Sequence, residues 1–142
     1  MWAALLKQLV ECDTAFCSKL SRWDFGDGVL RPAIFVGRPP LEAYSTRVVI
    51  DQTPGGVGEY STRGARGGVI ECEVSLWGDR TINLAHLGIL ADDLWRILDR
   101  ARVVPPVRYI VTQNIAAPPT AIRDTEDFPG YAIPVEITYL EA

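Results

Sequence analysis

The stretch Val69-Ile70-Glu71-Cys72-Glu73-Val74-Ser75-Leu76-Trp77, with the turn Gly78-Asp79 and residues 82–102 behind it, decides the fold. Ile70, Cys72, Val74 and Leu76 alternate with Glu71, Glu73, Ser75 and Trp77, the period of two that marks a half-buried strand. From Ile82 the period changes. Leu84, Leu87, Ala91, Leu94, Trp95 and Leu98 share one helical face, while Asn83, Asp92, Asp93, Arg96, Asp99 and Arg100 fall mostly on the other. Asp79 or Thr81 is placed to cap this helix, and Pro105-Pro106 cannot continue it. A strand with one apolar face beside a helix with one apolar stripe predicts a sheet with a helix laid across it.

Outward from this unit, residues 2–21 predict helix broken near Asp13, with Trp2, Leu5, Leu6, Leu9, Val10, Phe16, Cys17 and Leu20 on its apolar side. Turn chemistry at residues 24–28 precedes a short strand at residues 33–36, and Val48, Val49 and Ile50 give the next strand its β-branched core. Residues 54–68 hold six of the twelve glycines, with Arg63 and Arg66 among them. Lying between two strands, residues 55–68 predict a flexible Gly/Arg hairpin tip. Residues 107–113 predict a strand, and residues 114–130, with their prolines and charges, a surface loop. Tyr131, Ile133, Val135, Ile137 and Tyr139 alternate along a last strand; Pro134, lacking an N–H, predicts an edge or a bulge there. The expected architecture is one α+β domain, residues 1–142: a mainly antiparallel sheet, two helices packed on one face, and a long protruding hairpin or loop.

Composition narrows the function. At 142 residues, 48% hydrophobic and 23% charged, the chain can bury a core of its own. Its apolar runs reach about five residues, roughly a quarter of a membrane span, and Lys7 and Gln8 interrupt the first of them, so neither a membrane segment nor a signal peptide is predicted. The net charge of −4 is the wrong sign for a dedicated nucleic-acid binder. Cys12, Cys17 and Cys72 form an odd set without a paired motif, which argues against a disulfide framework.

Catalytic chemistry finds little support. His86 is the sole histidine, which excludes multi-histidine metal clusters, and neither a nucleophile elbow nor a phosphate loop is present. Gly56-Val57-Gly58 lacks the last glycine and the helix of a dinucleotide fingerprint. Asp92 and Asp93 are adjacent on a helix and diverge. Asp124, Glu126 and Asp127 could hold a cation or simply be solvated. Glu71 and Glu73 read as solubilising charges or as part of an electrostatic interface. No catalytic, metal-binding or cofactor-binding residue is assigned. The interface candidates are Glu59, Tyr60, Arg63 and Arg66 on the hairpin, and Asp124 with Phe128 in the late loop, Phe128 being either an exposed aromatic anchor or folded back onto its own core.

Taken in order, the helical residues 2–20, Ala33-Ile34-Phe35-Val36-Gly37-Arg38-Pro39-Pro40, Arg47-Val48-Val49-Ile50, the long hairpin, the strand at 69–77, the helix at 84–102 and the strand at 131–139 form a pattern. It resembles the tail-terminator (tail-completion) family of long-tailed phages, including lambda-like terminators and related minor tail proteins, over nearly the whole chain. The resemblance implies a non-enzymatic virion protein of the head–tail junction, assembled in the host cytoplasm, with no cofactor and no membrane. It implies a ring, typically a hexamer, that sits on the tail tube protein, ends tube polymerisation and docks the head-side connector or stopper. DNA would only pass through its channel. Two alternatives stay open: another neck protein (a head–tail stopper or adaptor), or a small nucleic-acid-binding module using Arg63, Arg66, Arg108 and Arg123.

Overall fold

The computed structural model describes residues 1–39, 45–62, 65–105, 109–115, 117–124 and 127–141; of residues 53–62, 65–66 and 141 it describes the backbone alone. In chain order the elements are α1 (Trp2–Glu11), α2 (Thr14–Cys17), β1 (Arg22–Asp24), β2 (Leu30–Pro32), β3 (Ile34–Val36), β4 (Arg47–Thr62), β5 (Ala65–Trp77), α3 (Leu84–Arg100), β6 (Tyr109–Ile115), β7 (Thr120–Arg123) and β8 (Pro129–Glu141). Six strands form one sheet in the order β3-β4-β5-β8-β6, with β7 also on β8; β1 and β2 form a separate hairpin. All pairings are antiparallel except β3 with β4. The α+β expectation holds.

The predicted alternation decides which face of the sheet is covered. Ile70, Cys72, Val74 and Leu76 of β5 stand in register with Ile137, Val135, Ile133 and Tyr131 of β8, and Val74 and Leu76 also with Ile50 and Val48 of β4. Against this face lie α1 and α3, and Leu6, Val10, Leu87, Leu90, Leu94 and Leu98 are buried between the layers. Each such side chain contributes about 1.5–3 kcal/mol of burial. Trp2 leans on Tyr139 and Tyr109 at 5.1 and 5.8 Å between ring centroids. Asp13 breaks the first helical stretch as predicted: its Oδ1 accepts a hydrogen bond from the Phe16 N–H at 2.9 Å, capping α2.

Three expectations are corrected. The cap of α3 is Asn83, whose Oδ1 accepts from the Ala85 and His86 N–H groups at 2.9 and 3.3 Å. Asp79 instead turns on itself, accepting from the Thr81 N–H and hydroxyl. The 114–130 loop contains β7, whereas the 24–28 turn stands as expected and closes the β1–β2 hairpin. Pro134 lies in no edge strand: β8 is flanked by β5 on one side and by β6 and β7 on the other. Pro134 falls opposite the gap between the last β6 pair (Ile115 with Val135) and the first β7 pair (Thr120 with Ala132), where that side has no ladder to lose.

Gly130 shows how tightly the β5–β8 seam is packed. A Cβ there would lie 2.6 Å from Trp77 Cε3 and 2.8 Å from the Leu76 carbonyl oxygen. Backbone cannot yield as a flexible side chain would, so Gly130→Ala is expected to cost about 2 kcal/mol in denaturant unfolding.

Candidate interaction surface

Among the described residues the second face of the sheet carries no helix, and its side chains are set by the same registers. Asp51 of β4 stands directly opposite Glu73 of β5, and Glu71 of β5 opposite Glu136 of β8. Asp51, Glu71 and Glu73 are exposed and Glu136 is half-buried. Among the described residues none of the four is in an ion pair. Like charges directly across a ladder destabilise a sheet by a few tenths of a kcal/mol or more, so folding alone does not favour this arrangement. Without these four, the chain has as many basic as acidic side chains. The alternation had marked Glu71 and Glu73. Asp51 and Glu136 join them only through strand register, which no local pattern carries.

One end of this face is closed by aromatic and guanidinium groups. Arg47 is buried with its guanidinium 6.0 Å from the Trp77 ring and 5.7 Å from the Phe128 ring, and the Arg80 guanidinium lies 4.9 Å from the Phe128 ring. Phe128 is therefore no exposed anchor: it is 6% exposed and folded onto its own domain, where two cations favour its ring face. Asp124 serves the turn leading to it, its Oδ1 accepting from the Phe128 N–H at 2.8 Å. Asp127 adopts a left-handed φ of 66° and its carboxylate meets Arg123 at 3.3 Å. The carboxylates proposed for a cation thus build a turn; Glu126 lies outside the described residues.

The hairpin candidates sit elsewhere. Glu59 and Tyr60 pair with Gly68 and Gly67, and Arg66 with Ser61, while Gly130, next to Phe128, pairs with Trp77 at the far end of β5. The two sets are separated by about ten residues of strand, roughly 33 Å. They do not form one site. Arg63 and Arg108 lie outside the described residues, and Arg123 is engaged by Asp127.

Elsewhere the surface offers no convergent chemistry. His86 is exposed on α3. Among the described residues no group of three or more His, Cys, Asp or Glu side chains could hold a metal ion, and no helix is long and apolar enough to cross a membrane. A cleft of about 540 Å³ runs between α2 and α3, floored by Leu9, Phe16 and Ile97 and bridged by Lys19 to Asp93 at 3.4 Å. Burial pushes the Cys72 thiol up to about 11 and raises that of Cys17, whereas Cys12 is exposed. A thiol reagent at pH 8 is expected to label Cys12 alone in the folded protein, read by intact mass, and all three thiols after denaturation.

No family model and no curated protein matches the chain. Twelve chains of solved structures do. One belongs to a gene-transfer-agent virion. That structure is described as the "Virion of native gene transfer agent (GTA) particle"; the likeness has a TM-score of 0.68 at 19% identity and covers 99% of this chain and 94% of that one. At that identity the likeness shows a shared fold, from one end of the domain to the other.

Proposed function

We propose that this protein is a structural subunit of a phage-like particle. It forms a ring on the completed tail tube at the head–tail junction, ends tube growth and presents a docking surface to the head-side connector, without catalysis. The observation that carries this reading is the whole-chain fold likeness to a chain of a gene-transfer-agent virion. The helix-free acidic face supports it. A ring that turns Asp51, Glu71, Glu73 and Glu136 toward its channel repels phosphate, so a duplex passes without being held. The like-charge pairs, unfavourable for the isolated domain, then have a use.

Electron microscopy of the purified protein mixed with tail tubes tests the reading. A ring-shaped cap at one end of each tube, with further addition of tube protein blocked, is expected. Decoration along the tube wall, or binding only to head-side components, overturns the terminator assignment.

A further inference from the structure

We propose that copies of this chain join head to tail through two bare strand edges, residues 57–62 of β4 on one copy and β6 on the next. The proposal rests on the ring reading and says how the ring closes.

Three features of the sheet lead to it. The first is position. β3 covers β4 only at Val48, Val49 and Ile50, so from residue 57 onward β4 is an edge among the described residues, and β6 is the edge on the opposite side. The two edges lie at the same level. One continuous row runs Gly58–Val69–Thr138–Thr112 and the next Tyr60–Gly67–Leu140–Ile110, from β4 through β5 and β8 to β6.

The second is direction. At this level the sheet has four strands, alternating in sense. Because the number is even, rotating one copy onto the next brings β6 beside β4 antiparallel. The alternation then continues across the seam, and every copy keeps its helices on the same side. An odd number would have forced a parallel seam. A heterologous contact of this kind forms a closed ring once the rotation closes. With the bulkier helical layer outside, the acidic faces line the inside.

The third is that neither edge carries the usual protection. Natural edges are blunted by lysine, proline, bulges or inward charges. β6 reads Tyr-Ile-Val-Thr-Gln-Asn-Ile with no charge and no proline, and pairs β8 without a register break; Ile110 is 61% exposed on it. Residues 57–62 carry Glu59 as their sole charge and no proline; the register shift of β4 and Pro54 lie before them, between Gln52 and Val57. Such edges are ready-made templates for a partner strand.

Two measurements test this on assembled rings. In hydrogen exchange of the wild-type chain, amides of residues 57–62 and 109–115 should exchange at least about tenfold more slowly in the ring than in the monomer. Rings that form with both segments unchanged overturn the edge pairing and leave the ring reading standing. For adjacency, Gly58→Cys/Thr112→Cys and Tyr60→Cys/Thr112→Cys are made in a Cys12→Ser background and oxidised with diamide. Within one copy these positions are three strand spacings apart, roughly 14 Å, beyond the reach of a disulfide. A covalent ladder extending past the dimer, absent from each chain carrying only one of the two introduced cysteines, is the expected result for at least one pair. Rings in which neither pair yields a ladder overturn the proposal. Failure to form rings, with or without tubes, removes both it and the reading beneath it.

Discussion

Replacing Gln113 with alanine is expected to destabilise the fold by about 3 kcal/mol, lowering the midpoint of thermal unfolding by about 10 °C. Gln113 is 5% exposed and faces the helical layer from β6. Its Nε2 donates to the carbonyls of Leu98 at 2.7 Å and Ala101 at 3.2 Å, and its Oε1 accepts from the Val103 N–H at 3.1 Å. One amide thus satisfies the last turn of α3, the residue that ends it and the strand of chain leading away. A helix terminus leaves carbonyls without partners; here a side chain from the sheet supplies the donors. Alanine would strand two buried backbone groups and one half-buried one, each costing about 1–3 kcal/mol when left unmade, with partial relief from entering water. Asn114→Ala, one residue along and exposed, should change stability by no more than about 0.5 kcal/mol. Denaturant unfolding of both variants as monomers decides the matter. Equal effects would mean that the amide is dispensable.

The second large effect concerns charge. The double substitution Glu71→Lys/Glu73→Lys sets an ammonium group opposite Glu136 and another opposite Asp51, turning two like-charge pairs into attractive ones. The isolated domain should gain a few tenths of a kcal/mol per pair. The assembled ring should fare worse. In the proposed ring, these four positions go from a net charge of −4 per copy to zero, and duplex DNA that the acidic face is proposed to repel becomes bound. At about 50 mM salt the affinity should rise at least about a hundredfold and be lost by about 200 mM. On the proposed head–tail reading, particles carrying the variant should assemble with normal tails and fail to release their DNA. Fluorescence anisotropy of labelled duplex over a salt series reads the first effect, and particle titre the second. If variant and wild-type rings bind duplex equally, the acidic face does not look into the channel.

How much of this was legible in the sequence depended on the length of each pattern. β5, α3 and β8 repeat their apolar residues over many positions, and a long period has few competing readings. β1, β2 and β7 are three or four residues long, too short for any period; β7 falls in a segment read as loop, and β1 and β2 flank the 24–28 turn without a reading of their own. Asp79 and Thr81 have the right chemistry for a cap but use it on each other, leaving the role to Asn83. Gln113 sits on the same alternation as Tyr109 and Val111, so its inward direction could have been read; what it bonds to could not. Phe128 is a lone aromatic in a charged segment, and its burial depends on Arg47 and Arg80, eighty-one and forty-eight positions away. The acidic face was half visible, because alternation fixes one strand at a time and register joins them.

The central place of β8 has a consequence for the order of events in the life of the chain. It is the last element in chain order, yet β5 meets it on one side and β6 and β7 on the other. Its partners in β5 lie more than fifty residues upstream, Trp77 with Gly130 being the nearest pair. Such distant pairing is slow to find, so the sheet is expected to complete in the millisecond-to-second range, after the helices and the β4–β5 hairpin. Before β8 docks, β6 has no strand beside it and no fixed outer edge to offer. The surface by which one copy would grip the next is thus created by the final folding step, and premature chains are poor nuclei for assembly.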